Sequence, residues 1–267
     1  MKLYVSGIGI WSDLAQNWEQ LKTALAENSD TNPAGIPRSE LIPGAERRRA
    51  PKTAKLAVEV AEQACRMAKA DMSDTASVFT SVLADTEISD NICRALALPQ
   101  KILSPTKFHN SVQNAPAGYW AIGSGNHAPC NYVGGFMESW ALALIEAASQ
   151  CLIEQRDVLL VNYDIANKAP LSGICRIDES FASALLLQAT CTHKDSVELE
   201  LELCAGNNPQ PVAQSVSART LSRRNPSAAV LAQLEVFAMK TDAQNATELR
   251  WPINSGTHLR IRSRGSL

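Results

Sequence analysis

Hydrophobic and polar positions switch along this chain between a period of two and a period near 3.6, and the switches mark out its elements. Tyr4–Ile10 mixes β-favouring residues with Gly7 and Gly9 and predicts a first, core strand. Trp18, Leu21 and Leu25 recur at helical spacing and predict a helix over Leu14–Glu27, capped by Ser12 or Asp13. Residues 28–43, rich in Pro, Asn, Asp and Gly, predict a loop. A second helix is expected over Lys52–Lys69, with Leu56, Val60, Gln63 and Met67 on one face. Val78–Leu83 predicts a buried strand and Ile88–Leu96 a short helix. Phe136–Glu154, dense in Ala, Leu and Ile, predicts a long helix that runs into Asp157–Tyr163, a continuous apolar strand of the kind covered on both faces.

Two more strands follow, Phe181–Ala189 and Val197–Leu203, the second alternating Glu with Val or Leu as a strand with one wet face should. In the tail, Pro226–Met239 predicts an amphipathic helix. Leu259 and Ile261, interleaved with Arg260, Arg262 and Arg264, predict an edge strand. No repeat occurs at solenoid periods. The order of elements predicts a layered α/β core in a single domain over residues 1–267.

Composition narrows this without changing it. Of 267 residues 45% are hydrophobic and 19% charged, enough for a sizeable core. A net charge of −2 offers no basic field for nucleic acid. No apolar run approaches the roughly 20 residues of a membrane span, and the N-terminus suits a strand better than a signal peptide. Seven scattered cysteines without a Cys-x-x-Cys pair suit reduced, mostly buried thiols of a cytoplasmic protein.

Candidate chemistry is sparse. Cys130, with His127 three residues before it, could serve as a nucleophile or half a zinc site, but a second ligand pair is missing. Gly7-x-Gly9 lacks the third glycine and the acidic residue of a dinucleotide site and is expected to serve close packing. Arg47–Arg49 is expected to be a solvated run or to help dock an acidic protein. No metal or cofactor is expected.

Five segments in order resemble the β-ketoacyl synthases of the thiolase fold. These are Val5–Ile10; Arg47-Arg48 with the Lys55–Ala68 helix; Ser104-Pro105 with Asn114, Ala117 and Gly118; Asp157–Val161; and Glu179–Leu187. The resemblance covers about residues 1–190 and implies a thiolase-like α/β/α domain, abridged in its second half over about 191–267. It places the family's nucleophilic cysteine at Met137, whose thioether cannot form a thioester. His109, His127, His193 and His258 lie outside the contexts of the family's catalytic histidines.

Ser104–Trp120 further resembles the chain-length factors of bacterial aryl polyene clusters. That resemblance implies a non-catalytic subunit paired with an active ketosynthase, acting on chains borne by an acyl carrier protein that docks mainly through the ketosynthase. It also nominates Phe108, Asn114, Tyr119, Trp120, Phe136 and Met137 as tunnel or interface residues. The competing expectation is an acyltransferase or condensing enzyme that uses Cys130.

Overall fold

Gly7 and Gly9 set how closely the first helical layer lies on the sheet. A Cβ at Gly7 would stand 2.1 Å from the Ala64 carbonyl oxygen, and one at Gly9 would stand 1.9 Å from that of Val60. The helix Lys52–Ala68 therefore rests against the strand Lys2–Ser12 almost backbone to backbone, the close packing expected of these glycines. The computed structural model describes residues 1–29, 32–192, 194–239 and 246–267.

In chain order the elements are β1 (Lys2–Ser12), α1 (Trp18–Glu27), α2 (Gly44–Arg47), α3 (Lys52–Ala68), β2 (Ala76–Thr80), α4 (Thr86–Ala97), α5 (Pro105–His109), α6 (Ala115–Ser124) and β3 (Cys130–Val133). There follow α7 (Ser139–Glu154), β4 (Val158–Asp164), β5 (Phe181–Gln188), β6 (Val197–Ala205), α8 (Val216–Arg224), α9 (Leu231–Ala238), β7 (Thr247–Asn254) and β8 (Thr257–Arg264). The strands form one mixed sheet in the order β3-β2-β4-β5-β1-β6-β8-β7. β2 runs parallel to β3 and β4, and every other neighbouring pair is antiparallel.

Helices cover both faces of the β2-β4-β5-β1 centre. On one side α3 and α6 pack on Phe79, Leu159, Val161 and Leu186; on the other, α1, α7, α8 and α9 pack on Val78, Leu160, Leu185 and Ile8. β2, β4 and β5 are accordingly buried at every position. This is the α/β/α layering expected from the run of strands and helices.

Several expectations are corrected. α1 begins at Trp18 under an Asn17 cap, because the Ser12 hydroxyl instead closes a turn on the N–H groups of Leu14 and Ala15. On α3 the expected Leu56 and Val60 are buried, but the rest of the stripe on β1 is small (Ala57, Ala61, Ala64 and Cys65) and Met67 stays 36% exposed. The predicted Pro226–Met239 helix is split into a 3-10 turn and α9. It is buried nearly all round rather than amphipathic. β8 is not an edge strand; β7 lies outside it. Of the cysteines only Cys65 and Cys151 are buried, and burial pushes both thiols up to about 12. The Phe136–Glu154 segment is long and apolar enough to cross a membrane by composition, but its buried side is a core face packed on β2 and β4.

Candidate functional site

The start of α7 is held by a polar frame rooted in two strand ends. The Ser139 hydroxyl donates to the Ser81 carbonyl (3.1 Å) and accepts from the Gly135 N–H (2.9 Å). Thr80 donates to the Val133 carbonyl (2.7 Å), so β2, β3 and the helix start are tied together. Below them, Asp164 ends β4 with its carboxylate fully buried. It accepts from the Ser81 hydroxyl (2.8 Å), the Val82 N–H (2.8 Å), the Leu83 N–H (3.1 Å) and the Ser227 hydroxyl. Burial raises the Asp164 carboxyl above its ordinary range, and the hydrogen bonds from Ser227 and its neighbours pull the other way. Asn225 donates to the Glu179 and Asp164 carbonyls, and Asn162 donates to that of Ser227 (2.9 Å), which locks the turn before α9 to the same strand end.

Sequence reasoning passed over this network. Its one visible signal is the polar pair Asn162 and Asp164 at the end of an otherwise apolar strand.

Met137, where the resemblance places a nucleophile, lies in a 3-10 turn (Phe136–Glu138) ahead of α7 rather than in the helix itself. The space behind it is nearly closed. A cavity of about 10 Å³ remains, lined by Met137, Trp140, Asn162, Ser227 and Trp251 among others, roughly enough for one water. Trp251 comes from β7, and its ring stands 4.3 Å from that of Trp140 at a tilt of 45°. Both are buried, so two indoles from distant parts of the chain fill the volume beside Met137.

The six nominated tunnel residues do not converge. Tyr119 and Trp120 are buried under α3 in the core on the other face of the sheet, where the Tyr119 hydroxyl donates to Asn110 (3.2 Å). Phe108, Asn114, Phe136 and Met137 are exposed, Phe108 at 63%.

Cys130 opens β3 at the end of the sheet. Packing around its thiol raises the pKa, the reverse of what an activated nucleophile needs. His258 is engaged by Asn208 (2.9 Å) and the Gly206 carbonyl (3.1 Å), and its strand partner Pro252 lines the same cavity as Met137; His193 lies outside the described residues. Among the described residues no group of three His, Cys, Asp or Glu side chains is placed to hold a metal. Arg47 is engaged with Glu40, and Asn110 donates to the Arg49 carbonyl, so part of the arginine run serves local structure.

Comparison with known proteins adds to this geometry. No curated protein matches the chain. Among solved structures, the fold is similar to a chain of the ketosynthase (ApeO) in complex with its chain length factor (ApeC) from Xenorhabdus doucetiae. That likeness has 20% identity, 99% coverage of both chains and a TM-score of 0.68. It is also similar to the ishigamide ketosynthase/chain length factor, at 12% identity, full coverage of both chains and a TM-score of 0.75. A β-ketoacyl synthase from Burkholderia phymatum STM815 matches at 10% identity, again with full coverage of both, and a TM-score of 0.70. These likenesses establish a thiolase-like ketosynthase fold. The family model "Beta-ketoacyl synthase, N-terminal domain" matches residues 15–255, and the chain therefore belongs to the β-ketoacyl synthase family.

Proposed function

We propose that this chain is a non-catalytic chain-length-factor subunit that pairs with an active ketosynthase and shapes its acyl tunnel during elongation of carrier-protein-bound aryl polyene chains. The observation that supports the reading is the filled volume at the start of α7. The resemblance assigns the nucleophile position to Met137, a thioether, and the Trp140–Trp251 pair beside it leaves space for about one water, which suits a chain that forms no acyl-enzyme bond and holds no acyl chain there. Cys130 is exposed on the end strand β3, and no histidine or cation is among the groups that act on its thiol, so its surroundings do not favour the competing use.

The pairing half of the reading draws on the sheet edge. β3 is a terminal strand, and Ala128–Met137 contains no charged residue although much of it is exposed. Free edges are ordinarily defended by charge, so an undefended edge suits a surface that a protein partner covers. The two-subunit ketosynthase/chain length factor complexes of similar fold suit the same assignment. Phe108, Phe136 and Met137 are the exposed candidates for contact with the partner's tunnel. The Ser104–Trp120 signature supports the aryl polyene class, and an active ketosynthase would supply the cysteine, the histidines and most of the carrier-protein contact.

Co-expression with the ketosynthase of its own genome tests the proposal. A stable complex in which acyl label from a carrier protein appears only on the ketosynthase is the expected result. Stoichiometric acylation of this chain, or failure to associate with a ketosynthase, overturns it.

A further inference from the structure

Strand β7 buries a single side chain. It is the terminal strand of its end of the sheet, and every position of Thr247–Asn254 is exposed or half-exposed except Trp251, at 2%. Leu249 and Ile253, which reach the same core, are only half-buried. A strand over a core ordinarily contributes a row of alternate residues. This one contributes one indole. Pro252 follows directly, without an N–H for the ladder, and the pairing with β8 shifts register between Pro252 and Asn254.

The indole goes to the start of α7. Its ring stands 4.3 Å from that of Trp140, and the cavity of about 10 Å³ is all the space left between the two rings, Asn162, Ser227 and Met137. The remaining walls include Val82, Ala141, Ala229 and Val230, which are apolar and mostly small. The rim is not sealed from solvent, since Met137 is 40% exposed and Glu138 half-exposed. Tryptophan also brings a liability here: its Nε1 is buried and, among the described residues, has no hydrogen-bond partner. An unpaired buried N–H is unfavourable, and phenylalanine or leucine would be apolar without it. What tryptophan supplies beyond them is volume.

We infer that Trp251 is a plug: the β7–β8 hairpin carries its indole into the volume that a linear acyl chain lying beside residue 137 would occupy. The inference rests on the reading of Met137 as the silent nucleophile position and deepens it, because bulk then closes the site as well as the thioether. It also names the ligand class that fits the space once it is unplugged. That class is a straight apolar acyl chain, entering beside Met137 with its polar end outward.

A core tryptophan and a plug leave different holes. Removing a core tryptophan leaves a closed hole that indole refills; removing a plug leaves a hole open at Met137 that admits a linear chain. The full-length chain with Trp251→Ala is titrated with octanoyl N-acetylcysteamine and, separately, with indole, following Tm and heat of binding. Both are expected to bind the variant, the thioester raising its Tm by about 3 °C or more at about 1 mM. Neither is expected to shift the unsubstituted chain by more than about 1 °C. Where the alanine chain does not fold, Trp251→Leu keeps an apolar strand residue, frees part of the ring's volume, and is held to the same outcomes. Absence of thioester binding, with or without binding of indole, overturns the plug, as does equal thioester binding by the unsubstituted chain. Association with a co-expressed ketosynthase is measured alongside: its failure overturns the subunit reading and leaves the plug as a property of this chain.

Discussion

The two ends of the sheet solve the problem of an exposed strand in opposite ways. At the β7 end, Glu198, Glu200 and Glu202 of β6 stand directly opposite Arg264, Arg262 and Arg260 of β8, and Glu248 of β7 extends the ladder to Arg250 and Arg262. That end is wet, charged and self-satisfied, which discourages further pairing. At the β3 end there is no charge from Ala128 to Met137, and the support lies underneath in the Ser81–Asp164–Ser227 network. One end is finished by this chain alone. The other is built on a buried frame and left chemically open, and that asymmetry is the main reason to expect a partner there.

The contrast can be broken most forcefully from below. Asp164→Ala strands two backbone N–H groups and two hydroxyls in the core, and is expected to cost about 3–5 kcal/mol. Chemical denaturation against the unsubstituted chain measures it; a loss below about 1 kcal/mol would show that the frame does not hold this end together.

A charge on the open edge should act on pairing alone. Asn131→Lys, whose new ammonium can meet the present partner Glu146, is expected to leave the lone chain's Tm within about 2 °C and to weaken association with a ketosynthase at least about 10-fold. Equal association by titration calorimetry would mean that the edge is not the covered surface.

Acid should separate the two ends by sign. Burial raises the Asp164 carboxyl, so the folded chain holds that proton more tightly. Its contribution is complete below the unfolded value, about 4, and declines as pH rises through the folded one. Glu198 is lowered mainly by its hydrogen bond with Lys2, and Glu248 by that with Arg250; their contribution is present above the unfolded value and is lost as pH falls through the folded ones. Hydrogen exchange between about pH 6 and pH 3, corrected for intrinsic rates, should show protection falling in β6–β8 while β4 keeps its own. Parallel loss in both regions would remove the distinction.

The smallest effect belongs to the ladder taken one rung at a time. Arg264→Gln, which removes a 2.8 Å contact to Glu198 that Lys2 also satisfies at 2.9 Å, should shift Tm by less than about 2 °C. The shift should vanish in 1 M salt. A larger, salt-insensitive loss would make the arginine stem a packing element rather than a charge.

How much could be read beforehand follows from the range of the forces involved. The alternation of Glu with Val or Leu in β6, the continuous apolar run of β4 and the alanine-rich α7 are local patterns, and each predicted its element; exposure followed the pattern in β4 and over Val197–Leu201, whereas Leu203 is exposed. Tyr119 and Trp120 show the limit. Their place in a family signature suggested an interface, yet α6 turns both rings under α3, because burying an indole is decided by what lies across from it.

Residue by residue, the chain determined its layered α/β order and its membership of the β-ketoacyl synthase family. Tertiary structure alone decided that Trp251, 111 positions away in sequence, closes the space beside Trp140, that Asp164 gathers four donors, and that Phe136 is held left-handed and exposed. Periodicity and composition report on neighbours within a turn or a pleat; the filling of a cavity and the strain of a backbone depend on segments that meet only when the sheet is assembled.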